Sequence, residues 1–275
     1  MFESIGRSIE LFRTSLSILM NDKKLLVFPL LSGIISLIVF ATFILPLVIG
    51  QVLGGLFFYI ALFTFYLVSS FVVIFFNTAL ISCVNARLQG REMSIGEGLS
   101  NALRHIAPIF GWALLSATVG IILQLIRERG GFVGQIAAGL VGGAWGLVTF
   151  FVVPVLVLED KGVFDAIKES TYLIRKTWGE SIIGSGSIML VFIIIGVLGL
   201  LGVLATMMLG GVLFYLAVVL FVALVIVLAV VAAAMQGIFV TALYSYAKSG
   251  TVPAAYTTDL IKNAFVQKPG GSGNI

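Results

Sequence analysis

Charged residues are scarce in this 275-residue chain, where Asp, Glu, Lys and Arg together make up only 10% of the sequence. Soluble domains carry roughly 25% charged residues, so the composition excludes an ordinary soluble protein. Four stretches contain no charged residue at all, and they are 62, 22, 29 and 67 residues long. They cover residues 25–86, 105–126, 130–158 and 181–247. These stretches predict an integral membrane protein.

Cysteine and histidine are nearly absent, with one of each. Cys83 has no partner for a disulfide, and His105 has no second histidine or nearby cysteine with which to bind a metal. A single histidine at the start of a span also cannot complete a Ser-His-Asp constellation. No charged residue lies inside a predicted span, which disfavours proton-coupled transport and voltage sensing. We therefore expect a protein that is not an enzyme and has no cofactor or metal.

Apolar residues are abundant instead, at 60% of the chain. Because a spanning helix needs about 20 apolar residues, each long uncharged stretch predicts two spans and each short one predicts one. The fold class is thus all-α, a polytopic membrane helical bundle with six transmembrane helices. We place them at residues 25–49, 56–80, 106–126, 132–156, 182–204 and 212–244. The last exceeds the bilayer thickness, so it should tilt, break near Gly237 or project from the membrane.

Lys and Arg are unevenly distributed between the two sides of this predicted bundle. Fourteen fall in the N-terminal segment, the connections after the second and fourth spans, and the C-terminal tail, whereas the other side has only Arg127 and Arg129. Basic residues collect on the cytoplasmic side of membrane proteins, so both termini are predicted to be cytoplasmic. Since topology accounts for these residues and the net charge is only +4, we expect no nucleic-acid partner.

Three amphipathic segments precede the odd-numbered spans and predict cytoplasmic helices lying in the membrane interface. Their apolar stripes are Ile5, Ile9, Phe12, Leu16 and Leu19; Ile95, Leu99, Ala102 and Ile106; and Phe164, Ile167, Thr171, Ile174 and Trp178. Each segment is followed by two spans, which favours a threefold parallel repeat over about 1–84, 85–158 and 159–250. The alternative is that any connection beside a bilayer becomes amphipathic. Residues 1–250 form a single membrane domain, followed by a cytoplasmic tail over 251–275.

Two sets of uncharged residues in the spans are candidates for contacts between helices. Glycines in the fourth span have the spacing that lets helix backbones approach closely, within the chain or between copies: Gly139, Gly142, Gly143 and Gly146. Four amides either form hydrogen bonds between helices or line a polar path: Asn77, Gln124, Gln135 and Gln236. Bonding between helices is the simpler interpretation.

Residues 154–179 contain an ordered motif. It consists of a proline near the end of a span, a glutamate, an Ala-aliphatic-x-x-Ser helix and Trp-Gly: Pro154, Glu159, Ala166, Ser170, Trp178 and Gly179. This order resembles that of an uncharacterised family of prokaryotic six-span membrane proteins, and residues 22–33 resemble the family's opening. The resemblance implies this fold and a prokaryotic plasma (inner) membrane, without an assigned activity. A looser form is similar to the membrane region of some bacterial glycerophosphodiester phosphodiesterases, whose hydrolase domain this chain lacks.

The residues of this motif have an architectural interpretation. Pro154 would kink or end its span. Glu159 or Asp160 would lie near the N-terminus of the following interfacial helix, where negative charge is favoured. Ser170 would lie on or beside the apolar stripe of that helix.

Two functions remain open at this point. Each basic residue beside an anionic leaflet contributes about 1 kcal/mol, which favours a membrane organiser or regulator that binds lipids or partner proteins. The candidate contacts are Lys23, Lys24, Arg104, Lys168, Arg175 and Lys176. The alternative is a homo-oligomeric channel or passive transport pore, favoured by the glycine-rich spans and the lack of coupling charges. We favour the first function, with membrane lipids as partners.

Overall fold

The structure is a computed structural model that describes residues 13–51, 55–178, 184–207 and 211–250. Helix α1 is described over residues 13–21 and is followed by a 3-10 turn, Lys23–Leu26. The next helices are α2 (Val27–Ile49), α3 (Gly55–Leu88), α4 (Ile95–Arg104), α5 (Ile106–Arg129) and α6 (Gly131–Val148). The last four are α7 (Val152–Leu158), α8 (Val163–Trp178), α9 (Gly184–Met207) and α10 (Gly211–Ser249).

Five helical segments are long and apolar enough to cross a membrane: Lys23–Ile49, Gly55–Leu88, Ile106–Arg129, Gly131–Leu158 and Gly211–Ser249. They coincide with five of the six predicted spans. The remaining one falls on α9, whose described side chains form the shorter apolar segment Phe192–Met207. The predicted fold class, an all-α polytopic helical bundle, is confirmed.

The overlong last span is one continuous 39-residue helix, α10. A break near Gly237 is therefore wrong. Gly237 is buried, and its carbonyl also accepts a hydrogen bond from the Thr241 hydroxyl at 2.7 Å. The outer surface of α10 is largely exposed before Ala234, whereas most side chains from there to Ala247 are buried. The C-terminal third of α10 thus packs as protein core rather than as membrane-facing surface.

The fourth span is interrupted, because α6 ends at Val148 and α7 begins only at Val152. The kink or end that Pro154 predicts for this span is thus found, about one turn before the proline. Pro154 explains the position of the break, since proline has no N–H to donate to the carbonyl four residues earlier and its ring clashes with that carbonyl. The carbonyl in question belongs to Phe150, which lies inside the break.

The chain divides into two compact units. The first, Val27–Thr177, contains α2 to α7 and nearly all of α8, and α3 is its centre because it contacts α2, α4, α5 and α7. The second contains α1, the 3-10 turn, α9 and α10, and in it the turn contacts α10. Helices α4 and α8 each precede two long helical segments along the chain. Ile5, Ile9 and Phe12 of the first predicted stripe and the tail over 251–275 lie outside the described residues, so the threefold repeat over 1–84, 85–158 and 159–250 stays a prediction.

Candidate functional site

In the Val27–Thr177 unit, the basic side is the end where α3 and α7 finish and α4 and α8 lie. Helix α8 packs on the protein there through small residues. Ala166, Ser170 and Leu173 are fully or almost fully buried, and their spacing places them on one stripe of the helix. The predicted apolar stripe included Phe164, which is instead 73% exposed. The buried face is therefore rotated away from Phe164, toward the small residues that permit close approach.

The Ser170 hydroxyl forms hydrogen bonds to the backbone at the break between α6 and α7. It donates to the Val148 carbonyl at 2.7 Å and accepts from the Phe151 amide at 3.0 Å. The Val152 amide bonds to Thr149 instead of Val148, so the break leaves the Val148 carbonyl without its helical donor. Buried backbone groups that lose their helical partners need others. Ser170 supplies both and thereby fixes the position and rotation of α8.

Pro154 and Ser170 thus act together at the break between α6 and α7. Pro154 interrupts the span, and Ser170 satisfies the backbone groups that the interruption exposes. Ala166, one turn before Ser170, is fully buried on the same face. Trp178 is the last residue of α8, and Gly179 lies outside the described residues.

Three charged groups join α7 to α8. Lys161 contacts Glu159 at 2.8 Å and Glu169 at 3.0 Å. The hydrogen bond that Lys161 donates to Glu159, and next the one that it donates to Glu169, raises the pKa of Lys161 above its ordinary value. Glu159 is the C-cap residue of α7 and lies four residues before α8 begins at Val163. Its carboxylate is held by Lys161 in the connection.

His105 connects α4 to α5 and also reaches the α7–α8 connection. Its Nδ1 lies 2.8 Å from the Asn101 carbonyl, and its Nε2 lies 3.3 Å from the Asp160 carboxylate. Both partners are acceptors, so the ring donates to both only when each nitrogen carries a proton. Asp160 has a left-handed backbone, with φ of 51°. Among the described residues, no group of three His, Cys, Asp or Glu side chains could hold a metal ion.

Helix α4 also packs through a small residue. A Cβ built on Gly98 would lie 2.6 Å from the Cys83 sulfur and 3.1 Å from the Ala79 carbonyl of α3. Only glycine permits this approach of α4 to α3. In addition, the Asn101 amide donates to the Ser82 hydroxyl of α3 at 2.8 Å. A glycine one turn before Ala102 on an amphipathic helix was the sequence signal for this contact.

A capping box begins α4. The Glu97 amide donates to the Ser94 hydroxyl at 3.2 Å, and the Ser94 amide donates to the Glu97 carboxylate at 2.7 Å. This backbone hydrogen bond, followed by the one from the Ser94 hydroxyl, lowers the pKa of Glu97 below its ordinary value. The box fixes where α4 starts after the Gln89–Ser94 connection.

The six predicted lipid contacts are all exposed. Lys168, Arg175 and Lys176 project from α8, and Arg104 ends α4. The Lys168 side chain is 79% exposed and has only a 3.4 Å contact to Asp165. Lys23 and Lys24 belong to the other unit. The structure therefore brings three of the six together on one helix.

The glycines predicted for helix packing mostly face away from the chain. A Cβ on Gly139, Gly143 or Gly146 would meet no atom of the described residues within 4 Å, whereas one on Gly142 would meet Leu123 of α5 at 3.4 Å. Among the described residues, Gly142 is thus the one of the four that lies close to another helix of the chain. The small residues of α6 that are buried are Gly134 and Ala138.

The four amides do not form a common site. Asn77 is half-buried in the half of α3 nearer the basic side, whereas Gln124 and the exposed Gln135 flank the α5–α6 turn at the opposite side. Gln124 donates to Glu128 on its own helix at 2.7 Å. Gln236 is half-buried in α10, in the other unit.

The fold and this site define an all-α, multi-pass membrane protein whose extramembrane helices are fixed to its spans. The chain belongs to the family of unknown function DUF6159, whose sequence profile matches residues 56–254. No curated protein and no solved structure matches it significantly. Membership confirms the predicted uncharacterised family. The match covers Pro154, Ser170 and the basic face of α8.

Proposed function

We propose that this protein is a non-enzymatic membrane organiser or regulator that binds anionic lipids through basic residues of its extramembrane helices. One observation carries the proposal. Ser170 fixes the rotation of α8 so that Lys168, Arg175 and Lys176 face outward beside the end of a span. Each basic residue near an anionic leaflet contributes about 1 kcal/mol to the binding free energy.

The same proposal includes orientation and location. We infer that the basic side faces the cytoplasm of a prokaryotic cell and that the membrane is the plasma membrane. The uneven distribution of Lys and Arg supports this orientation, because only Arg127 and Arg129 lie on the opposite side. Anionic lipids of the cytoplasmic leaflet would then be the first molecules that these side chains meet.

Native mass spectrometry of the full chain, extracted with its surrounding lipids, tests this function. We expect a monomer or dimer that retains anionic lipid. A variant with Gln at Lys23, Lys24, Arg104, Lys168, Arg175 and Lys176 should lose that lipid. The matched control replaces Arg127 and Arg129, on the opposite side, and should retain it. Equal lipid retention by parent and six-site variant would contradict lipid binding through these residues.

The second candidate is a homo-oligomeric channel or passive pore. The observation that favours it is the open surface beside Gly139, Gly143 and Gly146, where another copy of the chain would find room for close helix packing. The same spectra distinguish the candidates, because a pore requires a discrete ring-sized oligomer. Such an oligomer, together with solute flux through reconstituted vesicles, would favour the pore over the lipid-binding organiser.

A further inference from the structure

The outer face of α8 carries a ridge of aromatic and basic side chains, Phe164, Lys168, Tyr172 and Arg175, hereafter the α8 ridge. We propose that the α8 ridge is a binding surface for the headgroup of an anionic phospholipid in the adjoining leaflet. This inference rests on the lipid-binding function proposed above. It assigns that binding to one helix and adds two aromatic residues that the charge pattern alone did not indicate.

The spacing of the α8 ridge places its members together. At about 100° per residue, Phe164, Lys168, Tyr172 and Arg175 fall within roughly 80° of one another around the helix. Ala166, Ser170 and Leu173 lie on the opposite face and are buried. The two hydrogen bonds of Ser170 hold that face against the α6–α7 break. The ridge is consequently held outward, so binding would not require α8 to rotate.

The exposure of the two aromatic rings indicates an apolar or interfacial environment. Phe164 is 73% exposed and Tyr172 is 58% exposed. Transfer of a phenylalanine side chain out of water is strongly favourable, so a ring this exposed gains from a lipid surface. Aromatic side chains collect at the headgroup level of membranes. Helix α8 begins at Val163, only a few residues after a membrane-spanning segment ends at Leu158, which places its start near that level.

The local charges complement a phosphate. Glu169 is turned toward Lys161, which it contacts at 3.0 Å, and so does not neutralise the ridge. Asp165 is the acidic neighbour on the outer face, but its contact with Lys168 is a long 3.4 Å between two well-exposed side chains. Such surface pairs are weak and leave Lys168 available. With Arg175, the ridge thus offers two cations, one before and one after Tyr172 along the helix.

Helix α4 provides a comparison within the same protein. It also exposes apolar and basic side chains, Leu103 and Arg104, at its C-terminal end. It has no aromatic residue, and Arg104 is its one basic residue. If lipid binding required only an amphipathic helix, α4 and α8 would bind lipid equally well. If it requires both aromatic and basic side chains, α8 is the helix that binds.

The test is a native mass spectrometry titration of the full-length protein in detergent with dioleoylphosphatidylglycerol, and separately with dioleoylphosphatidylcholine. Each basic residue at an anionic surface contributes about a fivefold change in affinity, so Lys168→Gln with Arg175→Gln should weaken phosphatidylglycerol binding about thirtyfold. Arg127→Gln with Arg129→Gln removes the same charge on the opposite side and should leave phosphatidylglycerol binding nearly unchanged. Phosphatidylcholine binding should change little in both variants.

A second pair of variants tests the aromatic side chains of the α8 ridge. Phe164→Ala should weaken phosphatidylglycerol binding severalfold, whereas Leu103→Ala, the truncation of another exposed apolar side chain, on α4, should not. Both side chains point outward, so both variants should fold like the parent.

The outcomes separate this inference from the function on which it rests. If the six-site variant loses phosphatidylglycerol and the α8 variant retains it, the α8 ridge is wrong and lipid binding stands. If the α8 variant and the six-site variant both retain phosphatidylglycerol, both proposals are wrong. If the α8 variant loses both lipids equally, the ridge is no anionic headgroup site and the inference fails.

Discussion

Replacing Ser170 with alanine tests whether the two hydrogen bonds of its hydroxyl position α8. The substitution removes the hydroxyl that donates to the Val148 carbonyl and accepts from the Phe151 amide. Phe151 and Ser170 are fully buried and Val148 is half-buried, so the variant loses both hydrogen bonds where water has little access. Each buried, unsatisfied group costs about 1–3 kcal/mol. We expect a total loss of about 2–4 kcal/mol in the free energy of unfolding, because hydrogen-bond losses inside membrane proteins tend to be smaller.

The assay is denaturant unfolding of the purified protein in detergent, followed by tryptophan fluorescence. Trp112 and Trp145 stack with ring centroids 5.8 Å apart and report on the Val27–Thr177 unit. The matched control is Thr171→Ala, whose hydroxyl bonds only to the Ile167 carbonyl of its own helix at 2.7 Å. That control should change the free energy by less than about 1 kcal/mol. Equal free energies for the Ser170 and Thr171 variants would refute the bridging role.

Pro154→Ala supplies a second, sharper criterion. It returns an amide that can donate to Phe150 and removes the ring that clashes with that carbonyl, so the helix can close over the break. Ser170→Ala should then cost less in the Pro154→Ala background than in the parent. We expect a coupling free energy of about 1–2 kcal/mol from the double-mutant cycle. Additive effects would show that the proline and the serine act independently.

Two further predictions concern α4. Gly98→Ala should destabilise the protein by about 1–3 kcal/mol, because the new methyl group would overlap the Cys83 sulfur. Its control, Gly96→Ala, faces open space and should be neutral or stabilising by up to about 1 kcal/mol. Equal unfolding free energies for the two variants would contradict this packing. For Glu97, whose pKa is lowered in the fold, the charge stabilises above the ordinary value of 4.5 and that contribution is lost as the pH falls through the lower folded value. Melting curves of parent and Glu97→Gln should therefore differ at neutral pH and converge in acid, and a difference independent of pH would contradict the capping box with Ser94.

The sequence predicted the spans well because their signal is simple. Long uncharged stretches such as residues 25–86 require two apolar crossings, and the structure has two long helices there, α2 and α3. The sequence predicted that the fourth span is interrupted near Pro154. The break lies about one turn before the proline, because the proline ring clashes with the carbonyl four residues earlier. The continuity of α10 through Gly237 was not predicted, since the burial that supports this end of the helix comes from tertiary packing.

The orientation of the extramembrane helices was the harder problem. Beside a bilayer, apolar side chains are tolerated both toward lipid and toward protein, so polarity alone does not show which face packs. In α8 the packed face follows the small residues Ala166 and Ser170 rather than Phe164. In α4 it follows Gly98. Small residues at a spacing of four on an amphipathic helix were therefore the better signal for the protein-facing side.

The most direct test of lipid contact by α8 is the membrane depth of a spin label on its outer face. Asp165 is exposed beside the α8 ridge, and native Cys83 is buried, so Asp165→Cys offers one accessible thiol for labelling. Collisional relaxation by oxygen and by a water-soluble nickel complex should place this label at headgroup depth in phosphatidylglycerol vesicles, and less deeply in phosphatidylcholine vesicles. A label that is equally accessible to the nickel complex in both kinds of vesicle would contradict binding of anionic lipid by α8.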